Sequence, residues 1–312
     1  MIAARLRIVC VGEAMVELAP HAGGWDVGYG GDTLNQALHL ARFGYDTAYL
    51  TVLGSDPFAP RMQGAWAREG LDTSLLLKDE RRTTGLYAIS IDELGERHFS
   101  YWRSESAARA LFDHPQIGQA AARAAEADAL VYSLISLAIL PPDGRKALIG
   151  LAREVRRRGG KVAFDGNYRP VLWESIEAAC EWRDRAAAEA DFGLPTIDDE
   201  RALAGAGDAD AVAAHWERAG CGEVVVKLGG KGCRLPGGKV VPPATLLKPV
   251  DSSGAGDAFS AGYLAARMRG ALPEEAARRG HDLAGWTVMR SGAIPPRDHA
   301  APYGLSVSVS PE

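Results

Sequence analysis

The chain predicts an α/β fold: a mostly parallel sheet covered by helices, with a small β-sheet lid over the open end of the main sheet. Three observations carry this expectation. Strand-like and helix-like segments alternate along most of the 312 residues, the rhythm of a parallel sheet built from crossover units. Two segments, 13–31 and 82–105, break that rhythm with glycine-rich turns and period-two alternation. Near the C-terminal end a turn, Gly254-Ala-Gly256, opens a helix with a carboxylate, Asp257, in its first turn. Hydrophobic content of 47% is ample for a sizeable core, and residues 1–312 read as a single domain.

In order, residues 7–12 form an apolar run closed by glycine, a buried strand. Residues 13–31 turn at Gly23-Gly24, Gly28 and Gly30-Gly31 and supply the first part of the lid. A helix over 35–43 stops at Gly44, with Asp32 or Thr33 as its cap. A strand over 47–54 and a helix over 57–69, stopped by Gly70, follow. The second lid segment is a hairpin, with strands over 83–91 and 97–103 and a turn over 92–95. From about Pro115 the alternation resumes. Helices are expected over 116–127, 142–158, 174–188, 198–204 and 209–219, and strands over 129–133, 161–165, 191–194 and 223–228. The last clear helices span 257–269, stopped by Gly270, and 280–289. The tail after Tyr303 is short and weakly structured.

The charge balance narrows the function. Net charge is −5 with acids and bases interspersed, and the one basic cluster, Arg153 and Arg156–Arg158, reads as a solvated helix end, so no nucleic-acid surface is expected. Four cysteines, Cys10, Cys180, Cys221 and Cys233, make no CxxC pair and fit reduced thiols. The N-terminus has no signal-peptide shape and no apolar run reaches membrane-span length, so a cytoplasmic protein with no membrane partner is expected. The first strand leads into Gly12-Glu-Ala-Met-Val-Glu17, not a dinucleotide-binding Gly-x-Gly-x-x-Gly, which excludes a nicotinamide oxidoreductase of that type.

The motifs point to phosphoryl transfer. The first turn of a helix presents unpaired N–H groups at the positive end of its dipole and attracts phosphate. Gly254 and Gly256, on either side of Ala255, let backbone approach a ligand closely, and Asp257 can take a proton from an attacking hydroxyl. The same pattern also fits an ordinary capped helix. Glu223-Val-Val-Val-Lys-Leu-Gly-Gly-Lys-Gly-Cys-Arg234 is a strand and a turn that brings Gly229, Gly230 and Gly232 near a nucleotide, with Lys227 or Lys231 at phosphate; an ordinary hairpin reads the same way. In Gly28-Tyr-Gly-Gly-Asp-Thr-Leu-Asn35, Gly30 and Gly31 can lie against a polyol whose hydroxyls bond Asp32 and Asn35.

Gly30-Gly31-x-x-x-Asn35, Lys227-x-Gly229-x-x-Gly232 and Asp251-x-x-Gly254-Ala-Gly-Asp257 together resemble, in order and spacing, the ribokinase (phosphofructokinase-B) family of carbohydrate kinases, over essentially the whole chain. The resemblance implies a Rossmann-like domain with a β-lid, ATP as donor with Mg2+, Asp257 as the base, and an anion hole from residues 254–257. It implies K+ or another monovalent cation beside Asp251 and Ser253. The family's Asn-x-x-Glu element falls on Leu194-Pro-Thr-Ile-Asp-Asp-Glu200, where Thr196 replaces the Asn and Asp199 or Glu200 is left to order Mg2+.

Thr84-Gly-Leu-Tyr87, Phe99-Ser-Tyr-Trp-Arg103 and Asp165-Gly-Asn-Tyr-Arg169 resemble the family's 2-keto-3-deoxygluconate kinases. A sugar acid needs a cation for its carboxylate, and arginine suits a bidentate grip, so Arg103 and Arg169 are the candidates. Tyr87 and Tyr101 can bond keto or hydroxyl oxygens, and Asn167 is placed with the nucleotide. Phe99, Tyr101 and Arg103 share one strand face; a solvent-facing hairpin gives the same alternation. Kinases of fructose, ribose or a related keto-deoxy acid, and a non-catalytic sugar- or nucleotide-binding regulator, are the alternatives. A lid with exposed apolar residues suggests a homodimer through the lid.

Overall fold

The structure is a computed structural model, and it describes residues 5–92, 97–205 and 207–304. Most of the expected 92–95 turn and the tail from 305 lie outside these residues. β1 (Arg7–Val11) enters the core at once. β2 (Met15–His21) and β3 (Gly24–Gly30) form a hairpin, and Gly31 caps α1 (Asp32–Arg42). β4 (Asp46–Gly54), α2 (Phe58–Arg68) and β5 (Leu76–Asp79) complete the first half. β6 (Gly85–Ile91) and β7 (Arg97–Trp102) pair with each other, and a 3-10 segment, Ala107–Asp113, leads on to α3 (Ile117–Ala124).

The second half then alternates: β8 (Ala129–Ser133), α4 (Leu134–Ala138), α5 (Pro142–Arg157), β9 (Lys161–Asp165), α6 (Ile176–Ala187), β10 (Phe192–Gly193), α7 (Ile197–Ala204), α8 (Ala209–Ala219) and β11 (Glu223–Val224). Short strands β12 (Val226–Lys227), β13 (Cys233–Arg234) and β14 (Val240–Val241) precede α9 (Ala255–Arg267) and α10 (Pro273–Val288).

Seven strands make one sheet in the order β11-β10-β9-β8-β1-β4-β5, every pairing parallel. Alternation along the strands divides the core in two, as strand geometry requires. Val9 and Val11, Leu130 and Tyr132, Val162 and Phe164 face the layer of α3, α5, α6 and α8. Ile8 and Cys10, Ala129 and Val131, and Ala163 face the layer of α1, α2, α9 and α10. The expected parallel sheet with helices on both faces is therefore present.

The small sheet takes its strands from the two segments that broke the rhythm, in the order β3-β2-β6-β7. Its central pairing, β2 with β6, is parallel, and the outer two are antiparallel. Register puts Met15, Glu17, Tyr87, Phe99 and Tyr101 on one face and Val16, Leu18, Trp25, Val27 and Trp102 on the other.

Four expectations are corrected. The 223–228 strand serves two sheets: Glu223 and Val224 close the edge of the main sheet, while Val226 and Lys227 pair with β13. The cap of α1 is Gly31, not Asp32 or Thr33. Its φ of 152° is glycine territory, and a Cβ there would lie 2.3 Å from the Glu13 carbonyl oxygen. α9 begins at Ala255 behind Gly254, not at Asp257. α10 begins at Pro273 rather than 280, with proline in its first turn followed by Glu274 and Glu275, a start signal present in the sequence.

Candidate active site

The main sheet reverses its order between β1 and β8, and a ligand crevice is expected beyond the C-terminal ends of strands at such a point. A cavity of about 1190 Å3 opens there. Its wall on one side is the inner face of the small sheet, with Glu17, Tyr87, Phe99 and Tyr101. Its floor is the start of α1 and of α9, with Gly31, Asp32, Asn35, Gly254 and Asp257. Arg103, Arg109, Asn167 and Arg169 also line it, as do Pro249, Val250, Ser252 and Ser253.

The turn before α9 holds the reactive geometry. Gly254 has φ 67°, and a Cβ on it would come within 2.6 Å of Ala293 Cβ, so only glycine lets the chain enter the helix this way. At this entry Gly254 and Asp257 line the cavity, and the Ala255 N–H donates to the Ser252 carbonyl at 3.3 Å. Asp257 is buried and accepts a hydrogen bond of 2.8 Å from Asn35 Nδ2. Burial, reinforced by Asp32 and Asp165, holds its carboxyl well above the usual carboxylate range, while Asn35 and Lys227 pull it down. A carboxyl tuned toward neutral is a stronger proton acceptor once ionised than an ordinary aspartate.

Beneath Asp257 lies a buried network. Lys227 Nζ donates to both Asp165 oxygens at 2.9 Å, Ser260 donates to Asp165 at 3.1 Å, and Gln36 Nε2 donates at 3.2 Å. Lys227 was expected at phosphate. Its ammonium is instead spent on Asp165, behind the turn and 3.7 Å from where a Gly256 Cβ would sit. Of this network only Lys227 was singled out from sequence. The signal for Asp165 was a charged residue ending an apolar central strand.

Tyr87, Tyr101, Arg103 and Arg169, the residues expected at the sugar, all line this cavity. Tyr87 donates its hydroxyl to Glu17, and burial, followed by Glu17, pushes that phenol's pKa up. Tyr101 stacks on Phe99 with centroids 6.4 Å apart, and Arg103 lies 5.7 Å over the Tyr101 ring. Arg103 is also ion-paired with Glu13, a partner that sequence reading missed. Arg169 projects half-exposed at the rim, 3.5 Å from Asp199. Asp32 accepts from Asn167 Nδ2 at 3.2 Å, so Asn167, expected with the nucleotide, bridges to the sugar side. Burial raises the Asp32 carboxyl. Gly30 has no room for a side chain, because a Cβ would lie 2.2 Å from the Tyr87 hydroxyl.

The nucleotide and metal expectations divide. Gly229 and Gly230 form a 3-10 turn after β12, with Gly230 facing Leu246. Gly232 is required by packing, since a Cβ would meet the Val241 carbonyl oxygen at 2.2 Å. None of the three lines the cavity. Glu200 does not face it either: its carboxylate takes Arg183 Nη1 at 2.8 Å and Trp216 Nε1 at 3.0 Å in the core. Asp199 does not line the cavity but lies close to Arg169, which does, and to Tyr168 N, its carboxyl raised by burial. Asp251 accepts from the backbone N–H of Ser253 at 2.9 Å and of Gly292 at 2.8 Å, tying the turn to the 292 loop. No group of three or more metal-ligating side chains gathers among the described residues. Mg2+ held mainly by phosphates and water needs only one or two carboxylates.

The comparisons agree with this geometry. The family described as pfkB family carbohydrate kinase matches residues 5–300. The chain is 43% identical over 302 residues to 2-dehydro-3-deoxygluconokinase of Escherichia coli, covering 94% of this chain and 98% of that one. It is 39% identical over 299 residues to the 2-dehydro-3-deoxygluconokinase of Dickeya dadantii, covering 93% and 96%. In fold it is similar to the structure of 2-dehydro-3-deoxygluconokinase from Thermotoga maritima, with TM-score 0.79 at 21% identity over 93% of this chain and 96% of that one. A match across nearly the whole chain, on the fold and cleft that carry the Gly254–Asp257 turn, settles the family: the chain belongs to the pfkB carbohydrate kinases.

Proposed function

We propose that this kinase phosphorylates the terminal hydroxyl of 2-keto-3-deoxygluconate, the compound also called 2-dehydro-3-deoxygluconate. The observation that carries the reading is one cavity with a buried, raised Asp257 on its floor and Arg103 and Arg169 in its lining. A six-carbon acid spans such a space with its carboxylate toward the arginines and its far hydroxyl toward Asp257. The E. coli and D. dadantii relatives support the substrate by name.

ATP, with Mg2+, supplies the phosphoryl group when bound. Asp257 takes the proton from the acceptor hydroxyl as its oxygen bonds to phosphorus and the bond to the leaving diphosphate breaks. The N–H groups of the 254–257 turn and the dipole of α9 hold the developing negative charge. Gly229, Gly230 and Gly232, outside the cavity itself, shape the hairpin beside which the nucleotide would bind, and Asp199 would help to hold Mg2+. A K+ ion beside Asp251 and Ser253 belongs to this reading. The small sheet acts as a lid that excludes water, a competing acceptor. Exposed Trp25, Val27 and Trp102 on its outer face support a homodimer through the lid. No helix among the described residues is long and apolar enough to cross a membrane, and the proposed compartment is the cytoplasm.

Asp257→Asn tests the base. Turnover should fall about 1000-fold, with sugar-acid binding by calorimetry retained. Turnover within a few-fold of wild type would remove Asp257 from that role.

A further inference from the structure

Glu13 is unused by this account, and its surroundings are unusual. It joins the C-terminal end of β1 to β2, where the main sheet hands over to the small sheet. Its side chain is 1% exposed, yet Glu13 lines the cavity. One carboxylate oxygen, Oε2, accepts from Arg103 Nη2. The other, Oε1, has no partner among the described residues, and neither does the buried Nε of Arg103. Gly85 makes room for this: a Cβ there would lie 2.6 Å from Glu13 Oε1. An acceptor and a donor, both buried and both unsatisfied, therefore belong to two ion-paired residues that line the cavity. Buried polar atoms are normally paired, so a pair of orphans facing a ligand cavity marks what the ligand must bring.

The chemistry of that ligand group follows. Oε1 needs a donor and Nε–H needs an acceptor. A hydroxyl supplies both at one atom, whereas a keto oxygen supplies only the acceptor. A carboxylate placed there would face Glu13 as a like charge.

We infer that Glu13, with Arg103, reads a hydroxyl of the substrate and so sets which sugar acids are accepted. This rests on the sugar-acid reading above. In 2-keto-3-deoxygluconate the hydroxyl nearest the acid end is on C4, the carbon whose configuration separates the gluconate from the galactonate form. With the carboxylate held at the arginine end and the last carbon at Asp257, the C4 hydroxyl is the one that meets Glu13. Glu13 also keeps Arg103 in place, so its two roles must be separated by experiment.

The test crosses enzyme and substrate. kcat/KM is measured for wild type, Glu13→Ala and Glu13→Gln on 2-keto-3-deoxygluconate and on the analogue lacking the C4 hydroxyl, with melting temperatures as a check on folding. Wild type should prefer the full substrate about 100-fold or more, because a site built to bond a hydroxyl rejects the analogue lacking it. Glu13→Ala should lower kcat/KM on both substrates through Arg103 but more on the full substrate, so that the preference falls at least about 10-fold. Glu13→Gln, which keeps an oxygen acceptor and the shape, should retain part of it and gives the answer if the alanine variant does not fold. An equal loss on both substrates would make Glu13 a mere support for Arg103 and overturn the inference. So would a wild-type enzyme indifferent to the C4 hydroxyl. A wild-type enzyme that turns over neither acid would instead bring down the substrate reading, and this assignment with it.

Discussion

Asp257 has two opposed demands on one carboxyl. To accept a proton it must ionise, yet burial and its neighbours Asp32 and Asp165 disfavour the charge. Because the folded-state value lies above the unfolded one, the folded protein binds this proton more tightly. The stability so gained is complete below the unfolded value and is lost as pH rises through the folded one. Asparagine carries no such charge. Asp257→Asn should therefore melt higher than wild type, by a margin that grows with pH above the ordinary carboxylate range and vanishes near about pH 4. A margin independent of pH would refute a strained carboxylate. The same shift predicts that kcat/KM falls on acidification earlier than an ordinary aspartate would dictate. Arg169 is half-exposed and its partner Asp199 is partly exposed, whereas loss of Arg103 would strand the fully buried Glu13. Arg169→Ala should raise KM for the sugar acid about 10- to 100-fold and leave that for a neutral sugar unchanged. Equal changes in both would remove its charge from recognition. Asp257, Tyr87, Tyr101, Arg103 and Arg169 were legible in sequence because motif and face alternation single them out. Glu13 and Asp165 were not, because their meaning lies in partners 90 and 62 residues away.

At the level of elements, the start of α9 separates two glycines that sequence treats alike. Gly254 is held at φ 67° against Ala293, so Gly254→Ala should cost about 1–3 kcal/mol from backbone strain alone and lower the melting temperature. Gly256 sits in the helix itself, and a Cβ there would meet nothing closer than Lys227 Nζ at 3.7 Å. Gly256→Ala should leave stability unchanged or slightly higher, since alanine favours helix. It should still lower turnover if bare backbone at this position serves phosphate. Wild-type turnover in Gly256→Ala would take that residue out of the anion hole. The long periodic helices and apolar strands were readable, because α1, α5 and β8 show their buried faces in sequence. β5 was missed, since Leu-Leu-Lys-Asp carries neither alternation nor a turn signal. The splitting of 223–228 between two sheets was missed as well, because it depends on which neighbours each half finds. Asp199 and Glu200 stay alternatives for Mg2+ in sequence; helical phase, not composition, turns Asp199 toward Arg169 and Glu200 to Arg183 and Trp216.

For the whole molecule, two segments far apart in sequence combine into one sheet that walls the cavity opened by the reversal of strand order. The Glu13–Arg103 ion pair runs between the end of β1 and the end of β7, so the frame and the small sheet meet in the lining of the cleft. On the proposed function, this cleft selects a sugar acid. The most direct measurement is ADP release from Mg-ATP with 2-keto-3-deoxygluconate, 2-keto-3-deoxygalactonate, gluconate, fructose and ribose compared as kcat/KM. The account predicts a value for 2-keto-3-deoxygluconate at least about 100-fold above fructose and ribose, the scale that charge-assisted bonds to one carboxylate supply. A neutral sugar matching or exceeding the acid would contradict it.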